Sequence, residues 1–587
     1  MLKKILLPAL LLALGACQSE DHQKAAAPST DERFDNLKQT FLKGFWQLNP
    51  EWATSVGYHK FDSLLVIPDS AQRMRDAAFY ATYQQLLAEL SPDSLSAANR
   101  LDYRMLTNQL QAARWYADTL RPWTWNPAQY NLGATVGELL NSRHAGLDRR
   151  LRNISDKINH STEYYFIAKA NLHSPTREHT ELAIRQCTGG LESLGPALLD
   201  SVRRSGLSAQ EKEQLTSRIY NTRLAIESYV AFLKADVLPG PHRSARIGEQ
   251  KFNRKFALDI ESRFTAAEVY GRAQAHKREL LRDMAARATR LYPKYLPGQT
   301  PPADTLQLIR QVVDKLTRQH APRNGFVAAI KAQIPTLVAF VNEHQLLAQD
   351  PSKPLVVRET PLYMRGSGAG ASISAPGPYD KAAPTYYNVE PIPADWSADR
   401  AESYLREYND YTLQILNIHE AIPGHYTQLV YANRSPSLIK SVFGNGAMVE
   451  GWAVYAERMM LEQGYGANSD EMWLLWDKWN MRSTLNTILD HAVQVDNISE
   501  KEALALLMGP GFQEEAEARG KWLRATLSQV QLSSYFTGYT EIMALRDEVK
   551  QQQGGRFNLK NFHEEFLSFG SAPVKYIREM MLRRRPA

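Results

Sequence analysis

From Arg33 to about Leu238 apolar residues recur three and four positions apart, as in SAANRLDYRMLTNQLQAARWYADTL, where Leu101, Met105, Leu106 and Leu110 share one face. That period predicts amphipathic helices packed as a scaffold. The stretch PGPHRSARIGEQ, 239–250, interrupts it with two prolines and two glycines and reads as a hinge between lobes. Helical patterning resumes at FTAAEVYGRAQAHKRELLRDMAARATRLY and runs to about Leu346. Between Pro354 and Pro393 the segments PLVVRETPLYM and TYYNV are short, β-branched and aromatic, which predicts a small sheet at about 354–392. The glycine-rich RGSGAGASISAPGPYD between them has no following G-K-[ST] and is no phosphate loop. It reads either as a loop beside a cleft or as a solvated connector. Ser397 caps a long expected helix, RAESYLREYNDYTLQILNIHEAI, and later helices contain MVEGWAVYAERMMLE and TLNTILDHAVQ. The predicted fold is mainly α: a large bilobed helical structure, 33–238 and 239–587, with a small β-sheet near a cleft.

The first residues follow a different pattern. Lys3 and Lys4 precede an apolar run from Ile5 to Leu14, then Gly15, Ala16 and Cys17. The run is too short to span a bilayer and matches a secretory signal. Leu14-Gly15-Ala16-Cys17 looks like a bacterial lipobox, implying a signal over 1–17, a lipid on Cys17 that anchors the chain to a membrane, and a polar tether over 18–32. Gln18 is not the aspartate associated with inner-membrane retention, so the expected place is the cell envelope, at the outer membrane facing the periplasm. No later segment is expected to have the apolar length of a span. With Cys17 used, Cys187 is the one remaining cysteine and an intramolecular disulfide is excluded. The formal charge of +6 falls to +4 without Lys3 and Lys4. No basic run carries interleaved aromatics, so nucleic acid is not an expected partner.

The chemistry concentrates in HEAIPGH, 419–425. In the helical H-E-x-x-H zinc motif the histidines lie four apart on one face, and the glutamate is aimed at the metal-bound water. Here they lie six apart, which on an ideal helix turns the second ring by about 240° from the first. Pro423 cannot donate its amide to the carbonyl of His419, and Gly424 tolerates unusual backbone angles, so a local widening of the turn is expected to swing His425 back towards His419. Glu450 in VEGWAVYAE is the natural third ligand, because two histidines and a glutamate from a second helix leave a fourth position for water. Glu457, seven residues on, either holds a histidine ligand from behind or is solvated. The donor set suits Zn2+, and other divalent metals as well.

HEAIPGHYTQ, EGWAVYAE, NTILDHAVQ, YFTGYTEIMALR and FHEEFLSFGSAPV, with the opening NPEWATSVGYHKFDSLL, together resemble the bacterial family called domain of unknown function 885, largely lipoproteins. The family is similar in outline to helical zinc peptidases of the gluzincin kind, and dipeptidyl peptidase III is a precedent for a stretched motif, with one residue inserted between its histidines. The resemblance implies His419, His425 and Glu450 as ligands, Glu420 as general base, Asp490 as a supporting carboxylate behind the metal site or a structural one, and His491 near the cleft. Gln494 stands where related chains often carry histidine, which puts substrate contacts there in doubt. Tyr535 and Tyr539 lie four apart on one helical face and Arg546 lies seven beyond. They read as an oxyanion donor, for which Tyr539 is the candidate, and a carboxylate clamp, or else as a core seam. The strand TYYNV, with Tyr387 at its centre, is expected to pair with an extended peptide by edge addition.

The expected activity is metal-dependent hydrolysis in the envelope, as a zinc peptidase acting on peptides. The rival expectations are hydrolysis of another amide or ester, such as a cell-wall fragment, and a non-catalytic surface lipoprotein that binds a ligand.

Overall fold

The computed structural model describes residues 28–142, 144–361, 370–381 and 383–583. Cys17, and with it the lipid attachment, lies outside them, as do residues 365–369 of the glycine-rich stretch. The chain is 72% helical with one three-stranded sheet. The first helix, Thr30–Leu48, begins inside the stretch read as a tether, because Ser29 accepts from the amide of Glu32 in a capping box.

Three apolar cores organise the helices. The largest joins residues from Phe34 to Trp125 with residues from Ile247 to Met581. A second, from Tyr130 to Leu233, is built within the first half of the chain, and a third joins Met284–Leu316 to Leu474, Leu475 and Phe512. The stretch 33–238 is therefore shared between two cores. The segment 239–250 between them is tied down: Arg246 donates to the carbonyls of Val493 and Ile498, and the amide of Ile247 donates to Gln494. Gln494 is buried and also donates to the carbonyl of Ala525. It serves as a brace and is not exposed to a substrate.

The helices around the metal motif are α1 (Phe326–Glu343), α2 (Asp410–Glu420), α3 (His425–Ala432), α4 (Gly446–Glu462), α5 (Asp470–Gln494), α6 (Glu515–Ser528) and α7 (Ser534–Gln553). The expected long helix after Ser397 is two: Ala398–Glu407 ends before Asn409, whose side chain accepts from the amides of Tyr411 and Thr412 and restarts the chain as α2. The expectation of no later span-like segment also fails at one place, since 323–343 has the length and apolarity of a membrane span despite Lys331 and Pro335. Phe326, Ile330, Leu337 and Val341 on that helix face the large core.

The sheet comprises β1 (Leu355–Glu359), β2 (Ala371–Ser374) and β3 (Thr385–Val389), with β3 in the middle, parallel to β1 and antiparallel to β2. TYYNV is thus paired on both sides, and edge addition to it is excluded. Tyr387 is fully buried, and its hydroxyl donates to Asn417 in the last turn of α2. It positions the metal helix and is not a substrate contact. The edge strand β2 also packs against α2.

Candidate metal centre

α2 stops at Glu420, and the chain doubles back on its own last turn. The amides of Ala421 and Ile422 donate to the carbonyl of Asn417, and that of Gly424 to the carbonyl of Ile418. A Cβ on Gly424 would collide with the carbonyl oxygens of Ile418 and His419, so this close return requires glycine. Trp452 on α4 donates its indole N–H to the carbonyl of Pro423 at 2.9 Å, and α3 starts at His425. The two-residue excess is therefore absorbed by a break between two helices, where the sequence reading expected a widened turn within one.

The break brings the three expected ligands together. His419 Nε2 lies 3.8 Å and His425 Nε2 3.4 Å from Glu450 Oε2, with the two rings 4.8 Å apart and nearly perpendicular at 88°. The donor atoms all fall within 4.8 Å of one another. A tetrahedral ion with ligands at about 2.0–2.1 Å separates its donors by about 3.3 Å. Glu450 Oε2 is buried and has no hydrogen-bond partner among the described residues, although such a group normally has one. The residues present fit a zinc-class ion.

Glu457 lies behind the first histidine. Its Oε1 is 2.7 Å from His419 Nδ1 and accepts from Trp479 Nε1 at 3.0 Å, and the side chain is fully buried. Such a carboxylate fixes the tautomer that leaves Nε2 free for a metal. Burial opposes the charged form of His419, but the hydrogen bond and charge of Glu457 outweigh it and lift the imidazole to about 9. Burial raises the carboxyl of Glu420, against the pull of His425 and His419. Glu420 is half-buried and forms no hydrogen bond or ion pair among the described residues. Burial would raise Glu450 too, but contacts with His425 and the charge of His419 hold it below its usual range.

Other expected site residues fall elsewhere. Asp490 is buried and accepts from Val530 N, Ser533 N and Ser533 Oγ, so it holds the turn before α7 and is the structural carboxylate, with no contact to the ligands. His491 stacks on Tyr270 and pairs with Asp496, and makes no bond to the three ligands among the described residues. Tyr539 is buried, and its hydroxyl accepts from Arg458 Nη1 at 2.9 Å. Arg458 and Arg546 both bind Glu462, so Arg546 is an internal partner and not a clamp on substrate. Tyr535 differs: burial and the charge of Glu450 push its phenol up to about 12, and Arg524 donates to its hydroxyl at 2.9 Å. Gly451 on α4 and Gly538 on α7 meet with no room for a Cβ at either position. This close approach sets the side of α7 that faces Glu450. Sequence reasoning missed Arg524 and Gln531, which Arg524 also binds, because nothing local marks them. Trp452 was visible within EGW but carried no spacing argument.

Comparison with known proteins adds the lineage. The family model described as "Bacterial protein of unknown function (DUF885)" matches residues 50–581. The chain belongs to this family. A candidate lipoprotein of unknown function from Shewanella oneidensis is 48% identical, with a TM-score of 0.85 over 94% of this chain and 100% of its own. A candidate lipoprotein from Colwellia psychrerythraea, 14% identical, shares the fold with a TM-score of 0.77 over 94% of this chain and 99% of its own. No curated protein matches. The Shewanella relative agrees with an envelope-associated, lipid-anchored chain.

Proposed function

We propose that this family member is a metal-dependent hydrolase of the envelope, a zinc peptidase held at the outer membrane through Cys17 and facing the periplasm. The observation that carries the reading is the buried, unpartnered Glu450 Oε2 facing two perpendicular imidazoles, with Glu420 next in sequence to one of them. His419, His425 and Glu450 would hold the ion, and bound zinc would lower the pKa of a coordinated water and polarise the scissile carbonyl. Glu420 accepts the proton of the attacking water and returns it to the leaving amine. Tyr535, protonated at neutral pH, replaces Tyr539 as donor to the developing oxyanion. β2, the edge strand against α2, offers backbone groups to an extended peptide in place of β3.

The test is metal analysis of purified protein together with profiling against peptides and cell-wall fragments, using wild type and Glu420→Gln. Peptide hydrolysis that needs metal and falls by about 10²–10⁴-fold in Glu420→Gln, at unchanged metal content, is expected. Cleavage confined to cell-wall fragments would move the activity to another amide or ester. Less than about a tenth of an equivalent of transition metal after zinc-supplemented purification would leave a non-catalytic lipoprotein.

A further inference from the structure

A second group of metal-ligating side chains lies outside this centre, where the segment after the first helices meets the Tyr130–Leu233 core. His59 Nδ1 is 3.0 Å and His144 Nε2 3.2 Å from the same oxygen, Asp62 Oδ2. Asp62 is 1% exposed. The three donor atoms fall within 4.8 Å of one another.

One nitrogen of this group is left without a hydrogen bond among the described residues. Ser142 Oγ donates its one hydrogen to the carbonyl of Leu139 at 3.0 Å, so in its 2.9 Å contact with His144 Nδ1 the imidazole is the donor. A neutral His144 then carries its proton on Nδ1 and presents a bare lone pair at Nε2. That lone pair faces a carboxylate oxygen. Nε2 is buried, with no hydrogen-bond partner among the described residues, on a side chain 9% exposed. Two lone pairs at this separation repel unless a proton on Nε2 or a metal ion lies between them, and the buried Nε2 makes no hydrogen bond of the geometry that a proton there would require.

The supporting contacts of a metal ligand set are already made. Asp62 Oδ1 is held by Thr54 Oγ1 at 2.7 Å, and the far nitrogen of His144 is held by Ser142. Ligating carboxylates and imidazoles are characteristically fixed in this way. The separations of 3.0 and 3.2 Å approach the roughly 3.3 Å edge of a tetrahedral zinc site. The rings are stacked at 3.5 Å and 8°, so their in-plane lone pairs run parallel. A shared ion therefore requires the His144 ring, whose one hydrogen bond among the described residues is to Ser142, to tilt off its stack on His59.

We propose that His59, Asp62 and His144 form a second site for a zinc-class divalent cation, which clasps the loop after helix Leu132–Asn141 to the segment 59–62. The inference does not depend on the hydrolase reading. It is tested in His425→Ala protein, stripped with chelator and titrated with Zn2+ by calorimetry, with Co2+ absorption as a second readout. One equivalent bound, reduced at least about tenfold in affinity by adding His144→Ala, is expected, and wild type should bind two. The proposal is overturned if folded His425→Ala protein binds less than about a tenth of an equivalent. A reduction of less than tenfold on adding His144→Ala or, in a separate variant, Asp62→Asn also overturns it. Failure here with metal-dependent hydrolysis intact in wild type would leave the first centre standing.

Discussion

The His419 and His59 clusters use the same donor set, two imidazoles and a carboxylate, but are built on opposite geometries. In the first, the rings stand at 88° and come from two helices that meet at a break, with the carboxylate on a third. In the second, the rings lie at 8° on short irregular segments. Because a metal bonds along the in-plane lone pair of an imidazole, perpendicular rings can converge on one point without moving, whereas stacked rings cannot. Closeness of donors alone does not distinguish a preorganised centre from one that a cation must draw together. The first cluster also has Glu420 next in sequence to one of its histidines, which is what the proposed hydrolysis requires.

The largest expected effect comes from removing the device that makes the first cluster perpendicular. Gly424→Ala drives a methyl into the carbonyls of Ile418 and His419. It is expected to lower unfolding free energy by about 2–4 kcal/mol and, through misplaced rings, to weaken zinc at this centre by at least about 100-fold. Urea denaturation and competition with a chromogenic chelator measure the two losses. A variant that keeps wild-type affinity would show that the return of the chain on α2 does not set the ring angle.

Tyr535→Phe and Tyr539→Phe come next, and they locate the edge of the first centre. Loss of one oxyanion donor costs about 10²–10³-fold in kcat, which is expected for Tyr535 with KM little changed. Tyr539→Phe is expected to change kcat by less than about threefold and to cost about 1 kcal/mol of stability from the lost Arg458 hydrogen bond. The reverse ranking would return Tyr539 to the role the sequence suggested. Smaller again is Glu457→Gln, which removes the charge behind His419 and should weaken zinc about 10–100-fold, read by the same chelator competition.

These variants also mark what the sequence made legible. The helical class and the small sheet follow from periodicity, and the donor set follows from HEAIPGH and the EGWAVYAE glutamates. The break between α2 and α3 was not legible, because the Pro-Gly pair is equally compatible with a bulge, and the choice depends on Trp452 reaching Pro423 from another helix. Tyr535 and Tyr539 share a helical face, and how that face sits against α4 depends on the Gly451–Gly538 contact, which local spacing does not reveal. The reading of Tyr387 as a peptide contact takes its strand for a sheet edge open to addition. Strand order, which no local pattern encodes, puts it in the middle of the sheet.

An effect on pH dependence alone separates the candidate ligand histidines from a histidine that is only structural. His563 is fully buried between Leu346, whose carbonyl accepts from Nδ1, and Tyr455, whose hydroxyl donates to Nε2. Burial pushes its imidazole down to about 4, more strongly than the backbone hydrogen bond raises it. In the unfolded chain it titrates near its ordinary value of about 6.5, so between these values the unfolded state binds the extra proton. Its contribution to stability is therefore fully present above about pH 6.5 and is lost as the pH falls towards 4. Lowering the pH from 7 to 5 should cost about 1–2 kcal/mol through this one group. His563→Gln, which keeps a donor and an acceptor but does not titrate, should flatten that part of the pH dependence in urea denaturation, and an unchanged slope would assign it to other groups.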